Sequence, residues 1–349
     1  MGTARCVVPW FVHRSVKNLT RPRNQYTARF INMESINRRI PVTRLPVALL
    51  ILAVGGCVSS PQSHVQAVQV VAEKGNARAE YELALCYAHG NGVLQNYAKA
   101  AEFFRRSAEQ GYAPAQTGLG SYYARGLGVP PDYSEAIQWY RKAAAQGDSL
   151  AQYCLGYACA QGDGVPKDFD EAVRWWQKSA EQGQVYAQNA LGQLYFHGEG
   201  PGDTNHVNYA ASAKWLRRAA EQDYVGAMNT LGYLYQDGLG VGQDYREAVK
   251  WYRCAAEKGD AMAQANLGLM YEDGHGGLPH DKVQAYKWFT LSAEQGNVVG
   301  RHEFEVYNLY HVLTPEQFAE AQRMVAEFHA RQGTNGSSSA SELQSKNGN

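Results

Sequence analysis

Apolar residues recur along most of the chain at helical spacing, and the whole pattern returns about every 36 residues. Each period holds two apolar segments, which are separated by glycines and closed by a further glycine. The clearest matches align Asp132, Ala136, Trp139, Ala144 and Gly147 with Asp168, Ala172, Trp175, Ala180 and Gly183, and with Asp244, Ala248, Trp251, Ala256 and Gly259. Such a period predicts a repeat array, in which each unit buries its apolar face against its neighbours.

Each repeat is predicted to be a pair of helices. The first has small and apolar residues at helical spacing and ends at paired glycines suited to a positive φ, as at Gly162 and Gly164. The second begins at an acidic or amide N-cap, often with Glu or Gln three residues later as in a capping box. Seven residues past the cap stands a large aromatic residue, which we expect to pack between repeats: Phe103, Trp139, Trp175, Trp215, Trp251 and Trp288.

The repeats divide the chain into segments. Six repeats occupy residues 76–296 and close at Gly111, Gly147, Gly183, Asp223, Gly259 and Gly296, with a longer interhelical loop in the fourth. After a linker at 57–64, residues 65–75 are predicted to form an N-terminal capping helix. Residues 297–331 are predicted to form C-terminal capping helices, because the open end of a stack exposes apolar surface. Residues 332–349 are expected to form a disordered tail.

The segment Ala227–Gly259 carries, in variant form, the pattern ALGxLYxxGxGVxxDxxEAxxWxxxAAEQG. This pattern resembles the Sel1-like repeat, a relative of the tetratricopeptide repeat, and the resemblance covers about residues 76–296. It implies an all-α fold, namely an α/α solenoid whose helix-turn-helix repeats form a right-handed superhelix with the first helices on the concave side. It also implies an adaptor that binds other proteins.

The first 56 residues have the features of a targeting segment. An apolar run from Pro46 to Gly56, too short to span a bilayer, follows a cluster of arginines. Val54–Cys57 resembles the lipobox of bacterial lipoproteins, which implies that Cys57 is lipidated and becomes the first residue of the mature protein. Whether Met1 or Met33 is the true start stays open. Val58, in place of an aspartate, implies an outer-membrane lipoprotein that faces the periplasm. The alternative is an ordinary secretory signal and a soluble periplasmic or secreted protein.

The formal charge of the whole chain is zero, but the charge is unevenly distributed. Residues 1–56 carry nine basic side chains and one acid, whereas residues 57–349 carry 24 Lys and Arg against 32 Asp and Glu, a net of −8. A body of that sign repels phosphate backbones, so we do not expect nucleic acid as a partner. Membrane association is expected through the N-terminal lipid alone.

Two columns of residues on the first helices lie four positions apart and change identity from repeat to repeat. Since repeat packing would hold a column fixed, we expect both columns to line the concave groove and to bind a protein or peptide. Tyrosine rings offer rigid contact area, and amides pair with backbone groups. The alternative is a solvated face without a ligand. The predicted groove residues are Tyr81, Tyr153, Tyr157, Asn189, Gln193, Asn229 and Tyr233.

The sequence lacks the common catalytic motifs, including G-x-S-x-G, S-x-x-K, a P-loop lysine and H-E-x-x-H. Cys86 and Cys159 stand in otherwise apolar columns and are expected to be buried, and the loop histidines are expected to be solvated, so we predict no cofactor and no metal. The sequence favours a non-catalytic, lipid-anchored scaffold. One alternative is a β-lactam- or peptidoglycan-directed hydrolase of the cysteine-rich solenoid type. The other is an accessory lipoprotein of glycan or exopolysaccharide secretion.

Overall fold

The computed structural model describes residues 60–198, 207–309 and 312–345, so the leader, Cys57 and most of the long loop of the fourth repeat lie outside the described residues. Within these ranges all regular structure is helical, which confirms the predicted class, and no helix is long and apolar enough to cross a membrane. The helices are α1 (Pro61–Ala72), α2 (Ala77–His89), α3 (Tyr97–Glu109), α4 (Ala113–Arg125), α5 (Tyr133–Ala145), α6 (Ser149–Gln161), α7 (Phe169–Glu181), α8 (Val185–His197), α9 (Tyr209–Ala220), α10 (Val225–Asp237), α11 (Tyr245–Glu257), α12 (Ala261–Asp273), the short 3-10 helix η1 (His275–Gly277), α13 (Lys282–Glu294), α14 (Val298–Leu309) and α15 (Pro315–Ser345).

The described residues form two compact units, 60–243 and 244–345. In the first unit, α1 packs on α2, and the helices then pair as α2 with α3, α4 with α5, α6 with α7 and α8 with α9. Each pair packs on the next, and α10 packs on α9. In the second unit α11 packs on α12 and α12 pairs with α13. Stacked helical pairs of this kind are the α/α solenoid fold that the repeat period predicted.

The helix boundaries follow from local capping. The second helices begin at residues whose side chains accept a backbone N–H, as Asp132 Oδ1 does from Glu135 at 3.0 Å and Asp168 Oδ1 from Glu171 at 2.9 Å. The first helices end at a left-handed residue, as at Gly126 and Gly162. The predicted N-caps and C-caps are thus confirmed.

The second glycine of each loop has a role that the sequence did not reveal. A Cβ placed at Gly128 would overlap the backbone of Tyr97 and Ala98, at the start of the preceding repeat's second helix. The same holds for Gly164 against Tyr133, and in the first repeat Gly92 lies against the backbone of Pro61. Each of these three loops is therefore closed directly onto the preceding element.

The most deeply buried large residue of each second helix is the one after the predicted aromatic column. Trp176 packs against the first helix at Gly156, where a Cβ would lie 2.5 Å from its Cδ1 atom. Trp175, in the predicted column, is half-buried, and the Lys178 ammonium lies 4.7 Å from the centre of its ring. Two other tryptophans of the column are buried, so the column packs between helices with basic side chains against its rings.

Pairs of glutamine side chains join the two helices of a repeat, and the inner glutamine also bonds to the preceding repeat. Gln182 Nε2 donates to Gln152 Oε1 at 2.7 Å, and Gln152 Nε2 donates to the Ala144 carbonyl of the preceding repeat at 3.4 Å. In the first repeat buried Glu80 replaces the inner glutamine and accepts from Gln110 while pairing with Arg106 at 2.8 Å. These amides satisfy one another in the interior, where an unpaired amide is costly. The other glutamine pairs are Gln116 with Gln146, Gln188 with Gln222 and Gln264 with Gln295.

The terminal helices differ in length from the predicted capping segments. Helix α1 begins at Pro61, with Ser60 as its N-cap, whereas the sequence analysis placed the capping helix at 65–75. Helix α14 packs on α12 and α13, and α15 packs on α13, with Phe328 5.7 Å from Trp288. Helix α15 continues to Ser345, through residues that were predicted to form the tail.

Candidate functional site

The first predicted column lies at the contacts between successive first helices. Tyr153 is 1% exposed and its ring centre is 5.7 Å from that of Tyr186, near the start of the next first helix. Tyr81 contacts Tyr112 in the same way at 5.4 Å, and Asn189 is 7% exposed. Asn229 is half-buried. The side chains of Tyr153 and Asn189 are therefore packed inside the first unit rather than spread over its surface.

Sequence variation in this column has a physical source in the contacts between repeats. Thr117, in the same column, donates its hydroxyl to Asp148 at 2.9 Å, and Asp148 is the N-cap of the next first helix. The residues at that next helix start vary as well, with Tyr112, Asp148 and Gln184 as successive N-caps. In the first two repeats both partners of the contact differ, Tyr81 with Tyr112 and then Thr117 with Asp148, so variation alone does not mark a free surface. The parallel drift of the N-caps was the signal available in the sequence.

The second predicted column lies closer to the surface. Tyr157, Gln193 and Tyr233 are half-buried, on α6, α8 and α10 respectively. Gln193 Nε2 donates to Thr230 Oγ1 of α10 at 3.0 Å, and the Tyr233 ring lies 5.9 Å from that of Phe196 on α8. The structure thus brings Gln193 and Tyr233 together across two neighbouring first helices.

The helices that carry these residues are almost free of charge. No Lys, Arg or Glu occurs in α6, α8 or α10, and their only His and Asp are the terminal residues His197 and Asp237. By contrast, α7 between them carries Asp170, Glu171, Arg174, Lys178 and Glu181. We call the surface of α6, α8 and α10 around Tyr157, Gln193 and Tyr233 the neutral face. These three helices contribute hydroxyls, amides and aromatic rings to it, and the Asp163 carboxylate of the loop after α6 lies near Tyr157.

Two polar atoms beneath the neutral face lack hydrogen-bond partners. They are the Tyr153 hydroxyl and Asn189 Oδ1, both buried. Burial raises the pKa of Tyr153 well above 10, so its hydroxyl stays protonated. A buried polar group without a hydrogen-bond partner destabilises the fold. A group of this kind close to a candidate binding surface can still form a hydrogen bond with a ligand.

The thiols of the first unit are unsuited to nucleophilic chemistry. Cys86, Cys154 and Cys159 are free and buried, as predicted for Cys86 and Cys159. Burial raises the pKa of the Cys86 and Cys159 thiols to about 11 and that of Cys154 to about 12. These groups are protonated at neutral pH, whereas the thiolate is the reactive form. Among the described residues, no group of three His, Cys, Asp or Glu side chains is placed to hold a metal.

Comparison with known proteins identifies the family of these repeats. The model of the Sel1 repeat matches six consecutive segments: residues 77–112, 113–148, 149–184, 185–224, 225–260 and 261–297. No curated protein matches the chain.

Two solved structures are similar in both sequence and fold. A protective antigen of uropathogenic Escherichia coli, which displays the same repeat fold, is 38% identical over 75% of this chain, with a TM-score of 0.65. The match covers 56% of the antigen, so the chain spans a little over half of its length. A Sel1 repeat protein from Oxalobacter formigenes is 31% identical, with a TM-score of 0.58, over 64% of this chain and 89% of that protein. The chain belongs to the Sel1 repeat family, whose members are generally protein-interaction scaffolds.

Proposed function

We propose that the protein is a non-catalytic adaptor that binds an extended, uncharged segment of a partner protein on the neutral face. The observation that supports this function is the contrast between α6, α8 and α10, which are nearly free of charge, and the charged second helices beside them. A peptide backbone matches this surface because it presents alternating N–H and C=O groups without charge. The family's general role as a scaffold supports a protein partner.

Recognition uses tyrosine area and amide hydrogen bonds. Tyr157 and Tyr233 present half-buried rings, which lose little conformational entropy on binding. Gln193 bonds to Thr230 in the free protein, and its amide can exchange that bond for one to a partner's backbone. Tyr153 and Asn189 lie beneath this surface and support it by packing, since their side chains are almost fully buried.

Affinity capture from envelope extract with paired variants tests the adaptor function. Tyr157→Ala combined with Gln193→Ala removes a ring and an amide that lie near the surface, so we expect normal helical content and loss of partner capture. Tyr97→Ala is the matched control, because Tyr97 is an exposed tyrosine at the start of α3 whose ring contacts Tyr122 of α4. Equal capture by the double variant and by the unmodified protein would exclude the neutral face.

The adaptor is placed in the bacterial envelope by a lipid on Cys57, in the outer membrane facing the periplasm. The order of arginines, apolar run, small residues and Cys57 supports this placement. Metabolic labelling with a palmitate analogue should mark the unmodified protein and leave Cys57→Ser unlabelled. Labelling that persists in Cys57→Ser, or that is missing from both proteins, contradicts the anchor.

A further inference from the structure

The loop of the first repeat lies beside the start of α1. This loop, residues 90–96, joins α2 to α3, and Gly92 lies against the Pro61 backbone, where a Cβ would also come within 3.0 Å of Val65 Cγ2. Pro61 is four residues after Cys57, a distance of at most about 14 Å for an extended chain. A lipid on Cys57 therefore holds this loop close to the membrane surface.

The same loop presents an exposed leucine. Leu94 is 91% exposed, and proline or glycine stands in its place in three of the equivalent loops, at Pro130, Pro166 and Gly242. The loop is held in position by Gln95, whose Nε2 donates to the Ala88 carbonyl at 2.8 Å and to the Tyr97 hydroxyl at 3.0 Å. Leu94 is thus kept in solvent by an ordered loop, and its exposure has no packing function in the described structure.

The charge of this loop's edge differs from that of three other repeats. Helix α3 has Asn96 as its N-cap and Lys99 three residues later, whereas α5, α7 and α11 have Asp and Glu at these positions. Two carboxylates are therefore replaced by an amide and an ammonium. Lys99 is exposed, with its ammonium 5.2 Å from the centre of the Tyr87 ring, and the first acid on α3 is Glu102, further along the helix.

We propose that this edge, formed by Leu94 and Lys99, docks on the anionic bilayer surface in which the lipid of Cys57 is inserted. The inference rests on the lipid anchor of the proposed function. An exposed apolar side chain enters the headgroup region, and a basic side chain is attracted to anionic lipids. Since the lipid supplies most of the affinity, the edge sets the orientation of the protein on the bilayer.

Hydrogen exchange on the lipidated protein tests the docking. The protein is reconstituted in vesicles of phosphatidylethanolamine and phosphatidylglycerol and compared with the same protein in detergent. We expect exchange in residues 91–96 to slow severalfold in the vesicles, while the equivalent loop at 239–243 serves as a control within the same molecule and keeps its rate. Leu94→Asn with Lys99→Glu should abolish the protection, whereas Val298→Asn, which changes another exposed apolar residue, should not.

The anchor and the docking edge give separable results. The mass of the N-terminal peptide reports acylation without reference to Leu94. An acylated protein whose first loop exchanges equally fast in vesicles and in detergent overturns the docking edge and leaves the anchor intact.

If the N-terminal peptide carries no lipid, the anchor is wrong, and flotation of the processed protein with the same vesicles tests the docking edge. The double variant should then weaken flotation about tenfold or more. Flotation that is unchanged in the double variant rejects the docking edge. Slowed hydrogen exchange of residues 91–96 that requires a bound protein partner and not vesicles rejects it as well.

Discussion

At the scale of single residues, Tyr153 shows that an aromatic side chain on the predicted binding column can serve mainly in packing. Its ring fills the contact with Tyr186 of the next first helix, while its hydroxyl lies buried without a hydrogen-bond partner. Helical spacing predicted which face Tyr153 occupies. Its burial depends on Tyr186, 33 residues later, and no local pattern reports that contact.

Replacing Tyr153 by phenylalanine should leave the free energy of unfolding unchanged or raise it by about 1 kcal/mol, because the change removes a buried hydroxyl that bonds to nothing. Tyr140→Phe is the matched control. The Tyr140 hydroxyl donates to Ser121 at 3.2 Å, so its loss should lower stability by about 1 kcal/mol. Urea unfolding of both variants measures the difference, and a clear loss of stability in Tyr153→Phe would show that its hydroxyl is bonded after all.

Asp148 makes stability depend on pH. Burial raises the pKa of this carboxyl in the folded protein above its ordinary value of 3.8, so the folded state holds the proton to higher pH than the unfolded state does. The contribution of Asp148 to the free energy of unfolding should therefore decrease as pH rises from the pKa of the unfolded state to that of the folded state. Asp148→Asn keeps an acceptor for Ala151 and Thr117 and should remove that fall.

Unfolding measured from acid to neutral pH compares the two proteins, with Asp132→Asn as a control for changing an exposed N-cap. The expected result is that the advantage of Asp148→Asn over the unmodified protein grows as pH rises. A difference in the free energy of unfolding that is the same at all pH values contradicts the raised pKa of Asp148.

At the scale of helices and loops, the boundaries were predictable because capping is local. Asn or Asp at the start of a second helix and glycine after a first helix act within a few residues. The role of the second glycine was not predictable, because Gly128 lies against Tyr97, which is 31 residues earlier. The glutamine pairs were missed for the same reason, since Gln152 and Gln182 belong to different helices.

Gly128→Ala should lower the free energy of unfolding by more than Gly147→Ala does. Both glycines have positive φ, at 67° and 89°, so both substitutions carry the left-handed penalty of about 1–2 kcal/mol. Only the Cβ at position 128 also overlaps the preceding helix, whereas no atom lies within 4 Å of a Cβ at position 147. Thermal unfolding of the two variants measures the difference, and equal losses would mean that the backbone angle alone matters.

At the scale of the whole molecule, the number of repeats and the fold class were predictable because small and large residues recur at the same positions of each repeat. Six recurrences of one pattern outweigh any single ambiguous segment. Of the two predicted columns, only the second lies near the surface, and its binding of a partner stays a prediction. Tyr157, Gln193 and Tyr233 are half-buried, whereas the packing of Tyr153 and Asn189 follows from contacts between repeats.

Partner binding on the neutral face should be nearly independent of ionic strength. Salt screens interactions between charges, and α6, α8 and α10 contribute almost none. The dissociation constant of the captured partner, measured at low and high salt, should change less than about twofold, whereas a charged site would weaken severalfold. A steep salt dependence would move the site to the charged second helices.

The closure of each loop onto the element before it gives the chain a direction of assembly. Gly92 rests on Pro61, Gly128 on Tyr97 and Gly164 on Tyr133, and in every case the surface that receives the glycine was synthesised earlier. A polypeptide emerging from a ribosome or a translocation pore, N-terminus first, can therefore complete one repeat at a time. Each folded helical pair provides the packing surface for the next one, so a repeat can fold before the end of the chain has been synthesised.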